Sequence, residues 1–367
     1  MRIGIIGGGP IGLISALALQ QNGHNVRLFD PATTKPKMSL ALAESTLVFL
    51  ESLGIQLSDG EDLTEILVTE RGLPGSMRLK ASECSHQRFG QVICSHSLEN
   101  ALLAVANGLV EPIYVDRVIA RSESSNPRLH LASGAEWDPD LIILADGGRG
   151  GLTEGLGIIA QQRPFQRSII LGRIRVEYPI KGRAYERFIG TGPLAVLPLT
   201  PPIYGFAWSL NPTHAERLNV CHSSLLEELS KAVPPELGAV ELASESVVIP
   251  LIERWVDQPF RPGVVLIGNG AQTIHPVAGQ GLNLALRGVR QLVFELNNKS
   301  ADEAVRSAFQ SLKSNRNITR FVSSGLEAVF DHDIWARKLI TMVGLSLADQ
   351  SRGLKTKIAE FGMGILS

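Results

Sequence analysis

The first thirty residues narrow the possible folds more than any other part of the chain. Arg2 to Ile6 is an apolar strand pattern, Gly7-Gly8-Gly9-Pro10-Ile11-Gly12 is a glycine turn, an apolar-periodic helix runs to about Gln21, and Asn25 to Phe29 predicts a second strand. A G-x-G-x-x-G between a strand and a helix opens a doubly wound, Rossmann-like dinucleotide-binding unit. Its first glycine makes the tight turn, the second lets a pyrophosphate approach the backbone, and the third lets helix and strand pack closely. The phosphate then sits on N–H groups at the helix N-terminus. Asp30, ending the second strand, is placed to accept a hydrogen bond from a ribose hydroxyl, which favours FAD or NAD over NADP.

Between Arg2 and Arg27 the only titratable side chain is His24, and such a run is long enough to span a bilayer. Gly7 to Pro10 interrupt it, and no small-residue cleavage site follows. The reading is therefore a buried strand and helix in a chain that begins at Met1 in the cytoplasm. Lys and Arg total 35 against 36 for Asp and Glu, so there is no basic footprint for nucleic acid. Cys84, Cys94 and Cys221 are scattered without metal-ligand spacing, which predicts inert thiols in a reduced compartment and no metal site.

Two further motifs carry chemistry. Leu141-Ile-Ile-Leu-Ala145-Asp146-Gly147 is a buried-strand pattern followed by a carboxylate, which can hold a cofactor hydroxyl or cap the next turn. The run from Gly268 to Asn283 places Gly268 and Asn269 at a strand end, followed by Gln272-Thr-Ile-His-Pro276 and by Gly279-Gln280-Gly281 at the start of a long helix. A helix start free of bulky side chains can direct N–H groups and partial positive charge at the pyrimidine edge of a flavin, whose reduced form is an anion.

Between these motifs, helices are predicted over Ala41 to Ser52, Leu98 to Ala106 and Ser224 to Val233. Strands are predicted at Glu65 to Thr69, Met77 to Lys80, Gln91 to Cys94, Arg117 to Arg121 and Leu129 to Leu131. A mainly antiparallel set follows between Ser168 and Leu251, and helices after Gly281. The fold class expected is α/β: a doubly wound FAD-binding domain over 1–64, 86–165 and 256–300, interrupted by an antiparallel substrate-side sheet over 65–85 and 166–255. A C-terminal helical region covers 301–367.

The three motifs in this order resemble those of the FAD-dependent aromatic hydroxylases with the para-hydroxybenzoate hydroxylase fold. Ile66-Leu-Val-Thr-Glu-Arg-Gly72, Gly182-Arg-Ala-Tyr-Glu-Arg-Phe188, Gly192-Pro-Leu-Ala-Val-Leu-Pro-Leu199 and Gly268 to Leu286 are similar to the ubiquinone-biosynthesis hydroxylase branch. The resemblance implies a flavoprotein monooxygenase that binds FAD, draws electrons from NAD(P)H or another donor, uses O2 and hydroxylates a prenylated phenol through a C4a-hydroperoxyflavin. It also implies that Gly7, Gly9, Pro10, Ile11, Gly12 and Asp30 hold the ADP half of FAD. Asp146, Gly147 and Asn269 would hold the middle, and Gly279, Gln280, Gly281, Leu282 and Asn283 the ring. Pro276, Leu197, Pro198, Arg183 and His275 are placed beside the substrate, with Pro276 and Gly279 to Gly281 at the reacting centre.

Three positions depart from the pattern. Met38 stands where relatives carry an arginine that contacts the cofactor, with Lys37 as a substitute point charge; Gly150 and Thr153 replace residues common in the wider family. Two alternatives stay open: an FAD oxidoreductase acting on a soluble aromatic, and a weakly active scaffold subunit of a quinone-biosynthesis complex. After Ser311 eight Lys and Arg face five Asp and Glu among apolar residues. This pattern is compatible with a peripheral contact on the inner face of an anionic membrane and equally with a solvated helix face.

Overall fold

The structure is a computed structural model. It describes residues 1–30, 38–73, 76–106, 108–111, 115–119, 126–149, 151–273 and 280–312, with short pieces between 353 and 360. Arg2–Ile6 lies at the heart of a six-stranded sheet, paired in parallel with Leu141–Leu144 on one side and Asn25–Phe29 on the other. Leu141–Leu144 pairs in parallel with Val264–Leu266, so segments far apart in sequence form one sheet. Both of its faces are covered, which is why these strands are apolar throughout rather than alternating. Ile3, Ile5, Leu141 and Ile143 pack against the helices Pro10–Gln21 and Gln280–Leu296. Ile6, Phe29, Ile142, Leu144, Val264 and Leu266 pack on the opposite side with Val115, Val118 and Leu129 of a small three-stranded sheet.

The middle of the chain builds a nine-stranded sheet. From one edge its order runs Gln272–Thr273, Val247–Trp255, Gln161–Val176, Ile203–Leu210, Gly192–Thr200, Arg183–Ile189, Glu65–Glu70 and Ser76–Lys80, with Val240–Leu242 attached to Gln161–Val176. All pairings are antiparallel except one: Glu65–Glu70 runs parallel to Arg183–Ile189. One face packs on the helices Pro212–Val220 and His222–Ala232 through Tyr185, Leu194, Val196, Tyr204, Phe206 and Trp208. The other face looks toward the short strands Ser39–Ala43, Glu61–Leu63 and Gly90–Cys94 of the nucleotide side.

Two local expectations change. Residues 41–43 are not the start of a helix: Ser39–Ala43 pairs antiparallel with Gly90–Cys94, and the helix begins at Glu44. Alanine and leucine favour helix only weakly, and the ladder overrides them. A helix at Pro212–Val220, absent from the sequence reading, is capped by Asn211, whose side chain accepts from Thr213 N at 3.1 Å. Among the described residues no helix is long and apolar enough to cross a membrane, and the segment around Gly7 is strand, turn and helix as expected. Residues 301–312 are helical, burying Ala301, Ala304, Val305 and Ala308 against Leu286, Leu292 and Val293. The remaining tail pattern lies outside the described residues, apart from the pieces after 352.

Candidate active site and cofactor cradle

Parallel strands bring their carboxyl ends to one edge of a sheet, and an open α/β sheet binds its ligand there. The edge here collects Gly7 after the first strand, Asp30 after the second, Ala145 and Asp146 after Leu141–Leu144, and Gly268 after Val264–Leu266. Contacts between the glycine segments are close. A Cβ on Gly7 (φ +110°) would meet Ala145 O at 2.6 Å and Asp146 N at 2.8 Å. A Cβ on Gly12 would overlap the Gly7 carbonyl oxygen, and one on Gly8 would meet the Asp30 carboxyl carbon at 2.8 Å. On the far side, Gly268 (φ +62°) stands 3.5 Å from Ile11 by the same measure, and Gly270 stands 3.2 Å from Gly148 N. First, second and third motif thus border one crevice.

Gly9 is the N-cap of the first helix, with Pro10 at its first position and no side-chain cap. Ile11 and Gly12 follow in that first turn, where N–H groups have no carbonyl within the helix to bond. The crevice joins close-packed glycines, an uncapped helix start and a carboxylate at its lip, a combination that can receive a dinucleotide. Asp30→Ala is expected to weaken FAD binding about 10- to 100-fold, the loss of hydrogen bonds to a charged acceptor. Fluorescence titration of apoprotein with FAD measures this.

The second motif resolves one open alternative. Asp146 Oδ1 accepts from Gly148 N at 2.9 Å, closing a turn in which Gly147 and Gly148 both have φ of +72°. Asp146 therefore caps its own turn, and it keeps partial exposure toward the crevice. Arg254, not foreseen in the sequence, donates from Nη1 to Gly148 O at 3.2 Å and braces this turn from the nine-stranded sheet. In the third motif Asn269 lies in the short turn Gly268–Gly270, and its carbonyl accepts from Thr273 Oγ1 at 3.1 Å. Gln280 opens the long helix, and Gly281 has open space where a Cβ would stand. Leu282 packs into the core beside it. Lys37, His275, Pro276 and Gly279 lie outside the described residues, as does Gly150.

Asn283 has a structural role beside the one carried over by resemblance. It is 2% exposed. Its Oδ1 accepts from Ala43 N and from Thr46 Oγ1, both at 2.9 Å, and its Nδ2 donates to Ala41 O at 2.9 Å. The side chain thus ties the start of the long helix to the strand Ser39–Ala43 and to the helix Glu44–Ser52.

On the nine-stranded sheet, Leu197 lines a small cleft together with Met38, Ser39, Leu171, Arg173, Ala207 and Ser244. A Cβ on Gly205 would overlap Ser39 Oγ, so glycine there lets the sheet approach the Ser39–Ala43 strand. Arg173 is the cation in this cleft and donates from Nη2 to Cys94 Sγ at 2.9 Å. Strand alternation puts it on the face of Leu171, a signal present in the sequence. Pro198 is one residue out of phase with Leu197 and shares the buried opposite face with Val196.

Arg183 also lies on the opposite face. It forms ion pairs with Glu65 at 3.1 Å and Glu236 at 3.1 Å, and Glu236 in turn accepts from the Tyr185 hydroxyl at 2.8 Å. Burial, together with the bond to the Glu236 carboxylate, holds the Tyr185 phenol in its protonated form well above its usual range. Arg183→Met is expected to lower stability by about 1 kcal/mol, since the exposed Glu236 keeps Tyr185 and the half-buried Glu65 keeps Arg78 as partners. Thermal denaturation of the holoprotein reads this directly.

Residues 1–320 match the family described as FAD binding domain. The chain belongs to this family. It is an FAD-dependent hydroxylase. Among curated relatives it is 26% identical to the 3-demethoxyubiquinol 3-hydroxylase of Escherichia coli, over 99% of this chain and 98% of that protein. It is 24% identical to the ubiquinone hydroxylase UbiL of Rhodospirillum rubrum, over 99% and 89%. In fold it is similar to the p-nitrophenol 4-monooxygenase PnpA of Pseudomonas putida, with a TM-score of 0.80 at 13% identity over 99% and 98% of the two chains. It is equally similar to Klebsiella pneumoniae HpxO complexed with FAD and uric acid, with a TM-score of 0.80 at 17% identity over 99% and 97%.

Proposed function

We propose that this enzyme hydroxylates an electron-rich, prenylated phenol in ubiquinone-type quinone biosynthesis. The observation that carries the reading is the placement of one face of the nine-stranded sheet, with its cleft at Leu171, Leu197 and Ala207, directly against the strand Ser39–Ala43 of the nucleotide side. The similarity to quinone-pathway relatives over nearly the whole chain supports the same substrate class.

When bound, FAD would supply the redox chemistry, with electrons from NAD(P)H or another donor and O2 as the oxygen source. The protein's own part is positional. Gly7, Gly9 and Gly12 with the helix start at Pro10 receive the diphosphate, and Asp30 receives the adenine-side ribose. Asp146 and Asn269 border the ribityl chain, and the open helix start at Gln280 and Gly281 faces the ring with its N–H groups. Pro276, Gly279 and His275 belong to the same proposal as the segment adjoining the reacting centre. The cleft orients the aromatic ring and shields it from water.

The enzyme is further proposed to work as a peripheral protein on the inner face of the membrane, through its C-terminal segment, and within a quinone-biosynthesis assembly. Product analysis is the test. Reconstituted holoenzyme, a reductant and O2 should convert a prenylated methoxyphenol to its ring-hydroxylated product faster than the unprenylated analogue. Equal conversion points to a soluble aromatic substrate, and no hydroxylated product with either removes the proposal. Flotation with anionic liposomes, comparing the intact chain with one ending near Ser311, tests the membrane contact; equal partitioning rejects it.

A further inference from the structure

The cleft-bearing face of the nine-stranded sheet carries one feature that FAD binding leaves unexplained. Register pairing sets Leu171, Ala207, Ala195 and Glu186 side by side in a single row across four strands. All four retain partial exposure, whereas the next residue along the row, Val68, is buried. With strands about 4.8 Å apart, the row is a floor roughly 14 Å long. Small side chains at Ala195 and Ala207 keep its middle low, and a carboxyl group stands at its end. A ring lying along this row would bring its hydroxyl toward the acid.

Glu186 is an unusual occupant of such a place. Its strand neighbours on the same face, Ala184 and Phe188, pack in an apolar cluster with Leu63, Met77, Leu79 and Phe89. Among the described residues its carboxyl has no hydrogen bond or ion pair, in contrast to Glu65 on the reverse face. Burial pushes its pKa up to about 7. By strand alternation the charged or titratable groups described on the same face are Glu70, one row away, Arg173, which bonds Cys94, and, farther along the sheet, Arg175 beside Glu241 and Glu253, which pairs with Arg163. From the strands packed against it come Glu61, which accepts from Gly182 N, and Asp62, held by Arg88. A half-buried carboxylate without a hydrogen-bond or ion-pair partner, on the same sheet face as the cleft, has spare basicity toward a hydroxyl that reaches it.

We propose that Glu186 receives the proton of the substrate's phenolic hydroxyl. The phenol O–H bond breaks, the proton passes to a Glu186 carboxylate oxygen, and the electron pair stays on the phenol oxygen. That pair spreads into the ring and makes its ortho and para carbons nucleophilic toward the oxygen delivered from the cofactor side. The assignment rests on the phenol reading of the preceding subsection.

The test compares wild-type and Glu186→Gln holoenzymes, after flavin content and thermal melting have shown both to be loaded and folded, with Glu186→Asp as a second variant. Wild-type kcat/KM for a methoxyphenol should rise with pH through an apparent pKa near 7. Glu186→Gln should lose that limb and about 100-fold in kcat/KM, Glu186→Asp should recover part of it, and the deficit should shrink for nitrophenols that ionise unaided. As a readout apart from turnover, flavin-fluorescence titration with 4-methoxyphenol, which stays protonated in solution over this range, should give a dissociation constant that depends on pH in wild type near the same value and not in Glu186→Gln. Equal pH profiles and equal rates in wild type and Glu186→Gln overturn the role of Glu186 and leave the phenol reading intact. A wild-type holoenzyme that hydroxylates no phenol overturns both.

Discussion

Replacing Gly12 with valine is expected to yield a protein that purifies without flavin. Gly12 is not a glycine of conformational necessity; it is one of close approach, since any Cβ there would overlap the Gly7 carbonyl oxygen. The two cannot part without moving the helix Pro10–Gln21 off the strand Arg2–Ile6, and that junction presents the uncapped N–H groups to a diphosphate. Overpacking at such a contact costs about 1–3 kcal/mol for a single methyl and more for a branched side chain. Gly12→Ala should therefore weaken FAD affinity about 10- to 100-fold, and Gly12→Val should abolish it. The ratio of flavin to protein absorbance measures both, and the far-ultraviolet circular dichroism of Gly12→Ala reports whether the sheet survives. Normal flavin content in Gly12→Val would remove the first glycine segment from the cradle.

The second large effect belongs to Asn283. Its amide satisfies three partners drawn from residues 41, 43 and 46 while almost wholly buried. Asn283→Ala deletes three hydrogen bonds and leaves a backbone N–H, a backbone carbonyl and the Thr46 hydroxyl without this partner in a dry site. At about 1 kcal/mol or more for each group, the loss is on the order of 3–5 kcal/mol. Denaturant unfolding of the apoprotein should show it as a lower midpoint. Because the measurement is made without FAD, it separates a clamp from a cofactor contact: a ligand of the ring would leave apoprotein stability unchanged.

The parts of the fold read well from sequence were those whose signal is local and redundant. The opening strand, turn, helix and strand each have their own pattern, and the glycine spacing agrees with all of them. Strands such as Leu141–Leu144, covered on both faces, announce themselves as apolar runs. Ser39–Ala43 was misread because its strand character comes from the partner Gly90–Cys94, about fifty residues away, while Ala-Leu-Ala locally suits a helix. The helix Pro212–Val220 did have a signal, in Asn211 followed by Pro212, an N-cap and first-turn pair.

At the site, the cradle was legible and the substrate wall less so. Parity within Arg183–Ile189 decides which side chains meet the cleft, and it places Arg183 with Tyr185 on the helix-covered face. Glu186 shares its parity with Ala184 and Phe188, so a carboxyl among apolar neighbours was readable as an oddity. Its significance emerges only once three other strands are in register beside it. Asn283 shows the converse: motif position suggested a ligand, and tertiary contacts make it a tie between elements.

The single parallel pairing in the nine-stranded sheet bears on how the chain is made. Glu65–Glu70 leaves the ribosome more than a hundred residues ahead of Arg183–Ile189, the strand it must lie beside. Until that segment is synthesised, the early hairpin 65–80 exposes an unsatisfied edge, the kind of surface on which nascent chains stick to one another. No single cut divides this polypeptide into a half that holds flavin and a half that holds substrate. A fragment ending before residue 183 should aggregate, and biogenesis of the enzyme depends on shielding that edge until translation has passed the midpoint.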